Sequence, residues 1–378
     1  MTSRAVALHF SAMQLGETLV AAIFIAGALA QVLVVPLVAP LFDTLGALKI
    51  GLTAAACQIA GLAVMCSFPR PVVLIGGTVV TAIANGMLVP AVFVIAEYGV
   101  EEVDRVRVYS SLDTARLAGG FIGPLSGGLL LDYGSIRTAL GFEIGAVAVA
   151  IIVLASFRSS FSFVPIEFTK STSLWHRVRE VPALLYGSDE ARRSLLSVWS
   201  AIIFTSIFNV ALVFFAIKTL ALSGFLYAVL AQAFIVGRIV GARFSSRIQD
   251  SVAYLVVVLS GIGMGMSIAV PGLFPSLYVS LVFLFIAGGC NSLQVAALRI
   301  VVVKAVPEET KAKALSTMGA LNNSAMLVGY FVGGPVVAML SPTSGVVVSG
   351  CGTALMTLVV GGSGLLQQKR CGRFLRTK

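Results

Sequence analysis

A chain of 378 residues is long enough for two soluble domains, but 58% hydrophobic and only 11% charged residues exclude that reading. A water-facing surface needs roughly 25% charged residues, and the mean hydropathy is +1.00. Disordered and disulfide-stapled classes fall with the same arithmetic, leaving an all-α integral membrane protein. The net charge of +10 looks like a nucleic-acid signal until its distribution is read.

In chain order, residues 1–16 offer only the apolar run Ala5 to Met13, shorter than the ~20 residues that cross a bilayer. Spans of sufficient length then follow at 17–40, 48–67, 72–97, 108–131 and 137–157. After a polar stretch come 195–217, 222–245, 251–271, 275–301, 313–339 and 343–366, about eleven in all. The breaks carry turn and charge chemistry: Pro69-Arg70-Pro71, Glu101 to Arg107, Asp132 to Gly134, Pro271 to Pro275, Pro307 to Glu309. Barrel strands run about 9–11 residues with strict alternation, and the segments show none. The five cysteines, Cys57, Cys66, Cys290, Cys351 and Cys371, have no paired spacing and read as small hydrophobes.

Orientation follows from the basic residues. With the C-terminus in the cytoplasm, nineteen Lys and Arg fall in cytoplasmic loops and tails, against four (Arg4, Arg70, Arg137, Lys218) on the other side. This is the positive-inside distribution, so the excess charge belongs at the lipid surface and nucleic-acid binding has no support. The expected layout is a five-helix bundle at 1–157, a cytoplasmic linker at 158–194, a six-helix bundle at 195–366 and a basic tail at 367–378. In the linker, Ser171 to Val181 is a short basic amphipathic segment suited to the membrane interface. Ser188-Asp189-Glu190 reads as a helix start.

The halves echo one another. Gly119-x3-Gly123-Pro124 is answered 210 residues later by Gly329-x3-Gly333-Gly334-Pro335. Parallel repeats about an axis along the membrane normal are a transporter architecture. The residues that carry a family resemblance are three runs. Leu41-Phe42-Asp43-Thr44-Leu45-Gly46-Ala47-Leu48-Lys49 resembles the loop signature of the major facilitator superfamily, with Asp43, Gly46 and Lys49 kept and Thr44 in place of an arginine. Gly119-Gly120-Phe121-Ile122-Gly123-Pro124-Leu125-Ser126-Gly127-Gly128 resembles the antiporter signature of the family's fifth helix. Ala28 to Leu33, leading to Pro36 and Pro40, is similar to the second helix of vesicular amine transporters. The resemblance is thus to the drug:proton antiporter branch and implies two pseudo-symmetric helical bundles. On this alignment the first span is the family's second helix and the usual first helix is absent.

The resemblance implies roles residue by residue. Asp43 and Gly46 would gate the cytoplasmic side, the plain alternative for Asp43 being a flanking charge that merely ends the span; Gly119, Gly123, Pro124, Gly127 and Gly128 would form a hinge where the halves meet. The plain alternative for the glycines is close helix packing. Thr78 stands where relatives carry an arginine, and Asn323 where the amine transporters carry an aspartate, which counts against proton coupling and cation binding at those positions.

Other candidates come from charge cost alone, since an ionisable residue inside a span costs roughly 2.5–3.5 kcal/mol on insertion scales. Asp113 and Arg116, three apart on one helix, can neutralise each other, as a structural pair or as part of proton coupling. Glu143 has no neighbouring countercharge in sequence and is the best-placed proton-carrying carboxylate; an interfacial acid is the plain alternative. Asn291, Gln294, Asn322 and Asn323 offer donors and acceptors to a solute, or hydrogen bonds between helices.

No phosphate-binding loop appears, and His9 and His176 cannot build a metal site with scattered cysteines. The expectation is therefore a monomeric, multi-pass, non-enzymatic protein without cofactor or metal. It would carry a small organic solute across the bilayer by alternating access, in proton-coupled efflux. The alternatives are a proton-independent facilitator or symporter, and a truncated transport-dead membrane protein.

Overall fold

The computed structural model describes residues 6, 10, 22–27, 29–30, 45–98, 105–156, 188–245, 247–307 and 311–363. The first span at 17–40, Asp43, the amphipathic linker segment and the basic tail lie wholly or mostly outside the described residues. Every described element is a helix. In order they are α1 (Ala47–Ser67), α2 (Pro71–Tyr98), α3 (Arg105–Tyr133), α4 (Ile136–Ser156) and α5 (Asp189–Phe214). They continue with α6 (Gly224–Ser245), α7 (Ala253–Leu273), α8 (Leu277–Ala305), α9 (Lys311–Met339) and α10 (Pro342–Met356). One π-helical turn extends α5 at Phe215–Thr219 and another extends α10 at Thr357–Gly361. Eight described helices, all but α3 and α9, are long and apolar enough to cross a membrane. The two exceptions carry the Gly-Pro runs.

Helix ends fall where local chemistry stops the chain. Ser188 caps α5 by accepting the Ala191 N–H at 3.4 Å, so the helix begins at the polar start signal and not at the apolar residue 195. Ser341 caps α10 the same way through Ser344, with Pro342 in the first turn. By contrast α7 runs through Pro271 to Leu273. A proline that near the end removes a single backbone donor, so the expected break at 271 arrives two residues late.

Burial is inverted relative to a soluble protein. Ile152, Val72, Leu259 and Phe331 are exposed, while Gln58, Thr78, Ser194, Gln294 and Thr353 are buried. Apolar side chains facing outward cost nothing in lipid, whereas polar groups must find partners inside. Ser349, Thr353 and Thr357 do so by donating to carbonyls one turn back, at 2.6, 2.8 and 2.8 Å.

Contacts divide the chain into two compact units, one of residues 1–171 with 223–228, the other of 172–222 with 229–378. In the first, α1 packs between α2 and α4. A Cβ at Gly51 would touch Ala91 Cβ at 3.5 Å and Leu154 Cδ1 at 3.6 Å; one at Gly61 would meet Val80 Cγ1 at 3.1 Å. Small residues thus let three backbones approach, the packing device expected where hydrophobic burial cannot drive helices together. In the second, α5 packs on α9 and α10, and α7 on α8 and α10. Leu195, Val198, Val257, Leu298, Ala314 and Met318 belong to one apolar cluster joining α5, α7, α8 and α9, with Trp199 packed against it.

Candidate functional site

The first unit holds a polar layer inside an apolar wall. On α4 the buried stripe Ile136, Ala139, Leu140, Glu143, Val147 and Leu154 puts Glu143, 9% exposed, on the face that packs against α1. On α1, Gln58 is 4% exposed and lies on the stripe Ala54, Ala55, Gln58, Gly61, Leu62. Gly51 lies against Leu154 and Cys66 Sγ against the Arg137 carbonyl. That antiparallel register brings Gln58 and Glu143 within about one turn of each other. Thr78 and Thr81 of α2, also buried, stand at the same level through the Gly61–Val80 contact.

Their hydrogen bonding separates spent groups from available ones. Thr78 donates to the Leu74 carbonyl at 2.7 Å and Thr81 to that of Thr78 at 3.0 Å. Both hydroxyls are therefore committed to their own helix. Gln58 Oε1 is buried with no hydrogen-bond partner among the described residues, a state that costs about 1–3 kcal/mol.

The second unit carries the four amides, and they do not form one cluster. Asn291 and Gln294 share a side of α8 and turn toward α7: Asn291 Nδ2 lies 3.5 Å from Met264 sulfur, and Gln294 Nε2 3.5 Å from the Val257 carbonyl. The second is at the long limit of an N–H···O hydrogen bond, whereas 3.5 Å is ordinary for the larger sulfur acceptor. Asn322 is on the face of α9 that meets α5, and its Oδ1 is buried without a partner among the described residues. Asn323, one residue on, is exposed, as the ~100° step between neighbours on a helix requires.

The signature residues also separate. Gly46 precedes α1 with φ 79° and ψ 150°, backbone that only glycine adopts without strain. In α3, Pro124 lies inside the helix, Gly123 is half-buried and Gly127 buried. No described atom stands within 4 Å of a Cβ built at Gly119 or Gly120, whereas one at Gly128 would meet the Gly224 carbonyl, with its carbon at 2.8 Å and Phe225 Cα at 3.0 Å. Asp113 and Arg116 lie on α3, their side chains outside the described residues.

Three positions of interest escaped the sequence reading: Gln58, Trp199 and Asp132. Gln58 could have been found as a lone amide in an otherwise apolar span. Among the described residues no three His, Cys, Asp or Glu side chains come together to hold a metal ion.

The sequence matches no curated protein. Among solved structures it is similar to a mutant of the peptide transporter POT in complex with sulfate, with TM-score 0.73 and 14% identity over 98% of this chain and 92% of that one. It is similar to the nucleoside transporter NupG, with TM-score 0.68 and 14% identity over 95% of this chain and 95% of that one. It is also similar to the human organic anion transporter MFSD10 (TETRAN), with TM-score 0.59 and 17% identity over 90% and 83%. Likeness at such identities concerns the fold. The sequence pattern of the Major Facilitator Superfamily matches residues 3–330, and the chain belongs to that superfamily.

Proposed function

We propose that the chain is a secondary active transporter that moves a small organic solute by alternating access, coupled to protons, in the direction of efflux. The transporter reading follows from the superfamily and from the solute carriers it resembles in fold, which transport nucleosides, peptides and organic anions by name. Glu143 carries the coupling reading. It is a carboxyl only 9% exposed on the inner face of an apolar helix, beside Gln58 at about the same depth. An acid is retained inside a span at a cost of several kcal/mol only where it has work to do, and a side chain that can be neutral or charged can carry a proton. Asp43 and Gly46 as gate, and the α3 glycines as hinge, are the matching conformational parts. The drug:proton antiporter branch fits the α3 signature. The basic tail would lie in the cytoplasm.

One observation favours proton-independent facilitation. Thr78 holds no charge and its hydroxyl is spent on Leu74, so the fixed cation of the antiporter relatives has no substitute at that position. Vesicles reconstituted with the full chain decide between the two. Uridine, a neutral dipeptide and benzoate serve as solutes, with and without an imposed pH gradient. Proton coupling requires uphill flux that depends on the gradient and that Glu143→Gln abolishes while downhill exchange continues. Gradient-independent flux equal in parent and variant establishes facilitation instead.

A further inference from the structure

Helices α5 and α9 face each other along stripes that can be read residue by residue. A Cβ at Gly329 would meet Ser206 Cβ at 2.6 Å and the Ile203 carbonyl carbon at 3.0 Å, and one at Gly333 would lie 3.2 Å from Ile207 Cα and 3.3 Å from Val210. Tyr330 lies beside Asn209, whose Nδ2 donates to the phenol oxygen at 3.4 Å. Stepping back along α9 at helical spacing, the same face runs Gly333, Gly329, Ala325, Asn322 and Met318. On α5 it runs Val210, Ser206, Ile203 and Trp199. The register that pairs Gly329 with Ile203 and Ser206 brings Asn322 opposite Trp199, within about one turn.

Beneath both is the apolar cluster that contains Met318 and Leu195 and against which Trp199 packs. On the facing stripes at this level each helix presents one polar atom that its surroundings leave unused; Ser197 Oγ, also without a partner among the described residues, turns instead toward Gly361. Trp199 Nε1 and Asn322 Oδ1 are buried, and neither has a hydrogen-bond partner among the described residues. Both side chains nevertheless keep part of their surface accessible. Nε1 can only donate and Oδ1 can only accept. No Asp, Glu, Lys, Arg or His occurs between Leu195 and Val210 or between Met318 and Gly333.

We infer that Trp199 and Asn322 form a binding subsite for a neutral solute bearing a cis-amide edge, a carbonyl beside an N–H as in a lactam or imide. The indole N–H donates to the solute carbonyl and the solute N–H donates to Asn322 Oδ1. Two unused buried groups thereby acquire partners at once, and specificity arises because an analogue lacking either group leaves a buried polar atom unpaired. A charged solute finds no countercharge on the two stripes. This subsite deepens the transporter reading and rests on it for its biological meaning, although binding can be measured without transport.

The chain has two tryptophans, so Trp175→Phe leaves Trp199 as the only indole and its emission as a local reporter. The purified full chain in lipid nanodiscs is titrated with uridine, whose imide edge has the required pattern, and with 3-methyluridine, which has lost the N–H. Uridine is expected to change Trp199 emission saturably, and 3-methyluridine to bind roughly tenfold or more weakly, the penalty of an unpaired buried acceptor. Asn322→Leu should weaken uridine to the level of the methylated compound and leave the latter unchanged. Equal binding of the two compounds, no saturable response to uridine, or an Asn322→Leu protein that still prefers uridine overturns the subsite. The methyl comparison needs no Asn322 variant, so a folding defect cannot mask the answer. Uridine-selective binding without flux in vesicles would sink the transport reading alone; uridine flux indifferent to N-methylation would sink the subsite alone.

Discussion

The carboxylate of Asp132, at the end of α3, accepts the backbone N–H of Gly224 at 2.6 Å and of Phe225 at 2.7 Å, at the start of α6. Ser223 Oγ takes the next one, from Leu226, at 3.3 Å. Three of the four donors that a helix N-terminus leaves unsatisfied are thus provided for, and a negative charge sits at the positive end of the helix dipole. Gly128, one turn before Asp132, allows the approach because any side chain there would strike the Gly224 carbonyl. Asp132→Ala should cost about 1 kcal/mol, as the loss of a side-chain helix cap does. Asp132→Asn should cost less, since one oxygen still accepts. Thermal melting reports the sum, and faster hydrogen exchange at Gly224 and Phe225 locates it. Unchanged exchange in the alanine variant would show that the cap is idle.

Two glycines of one signature should behave in opposite ways. Gly119→Ala adds a methyl where no described atom lies within 4 Å and removes a poor helix former, so stability should hold or rise by up to ~1 kcal/mol. Gly128→Ala should lower it by about 1–3 kcal/mol, because the clash is with backbone, which cannot rotate away. If both variants melt alike, the close approach of α3 and the first turn of α6 is wrong.

Gly265 on α7 and Gly350 on α10 are mutually exclusive of side chains: a Cβ on either would come to 2.6 Å from the carbonyl oxygen of the other. Substituting alanine at one should force the pair apart and cost about 1–3 kcal/mol. The double variant should cost less than the two losses added together, since one separation of the helices relieves both clashes. Additive losses in detergent unfolding would mean that the residues act independently.

Much of the fold was legible in the sequence, because length and hydropathy alone determine where a helix can cross lipid. Ser188-Asp189-Glu190 marked the start of α5, and the Pro69-Arg70-Pro71 break separates α1 from α2. The site was less legible, because a sequence shows which residue is unusual but not what faces it. Asp132 read only as a polar break, since the amides it caps lie 92 and 93 residues on. Gly119 and Gly128 are indistinguishable as letters in one motif; only the backbone beside Gly128 separates them. Asn322 and Asn323 both stood as solute contacts, and a single helical step turned one inward and the other out. Trp199 lies within an apolar span, and only its buried, unpartnered nitrogen sets it apart from its neighbours.

Gly46 offers a test of the signature loop that does not depend on transport. Its φ of 79° with ψ of 150° belongs to a region that L side chains enter at a cost of about 1–3 kcal/mol. Gly46→Ala should lower the melting temperature accordingly, whereas Ala47→Gly, at the first helical position of α1, should cost only about 1 kcal/mol or less. Equal losses would show that the turn before α1 does not depend on a positive φ.

Gln58 yields a prediction with the opposite sign to most core substitutions. Its side chain is 4% exposed and Oε1 has no partner among the described residues, so the folded state bears an uncompensated desolvation of about 1–3 kcal/mol. Leucine has nearly the same length and no polar atom, and around it Ala54, Ala55, Gly61 and Leu62 are apolar or small. Gln58→Leu should therefore keep or raise the melting temperature. If the amide serves the polar layer near Glu143, the same variant should lose solute flux while gaining stability, the exchange expected when a strained group is kept for function. A variant that is both less stable and fully active would mean that Gln58 has a structural partner and no part in transport.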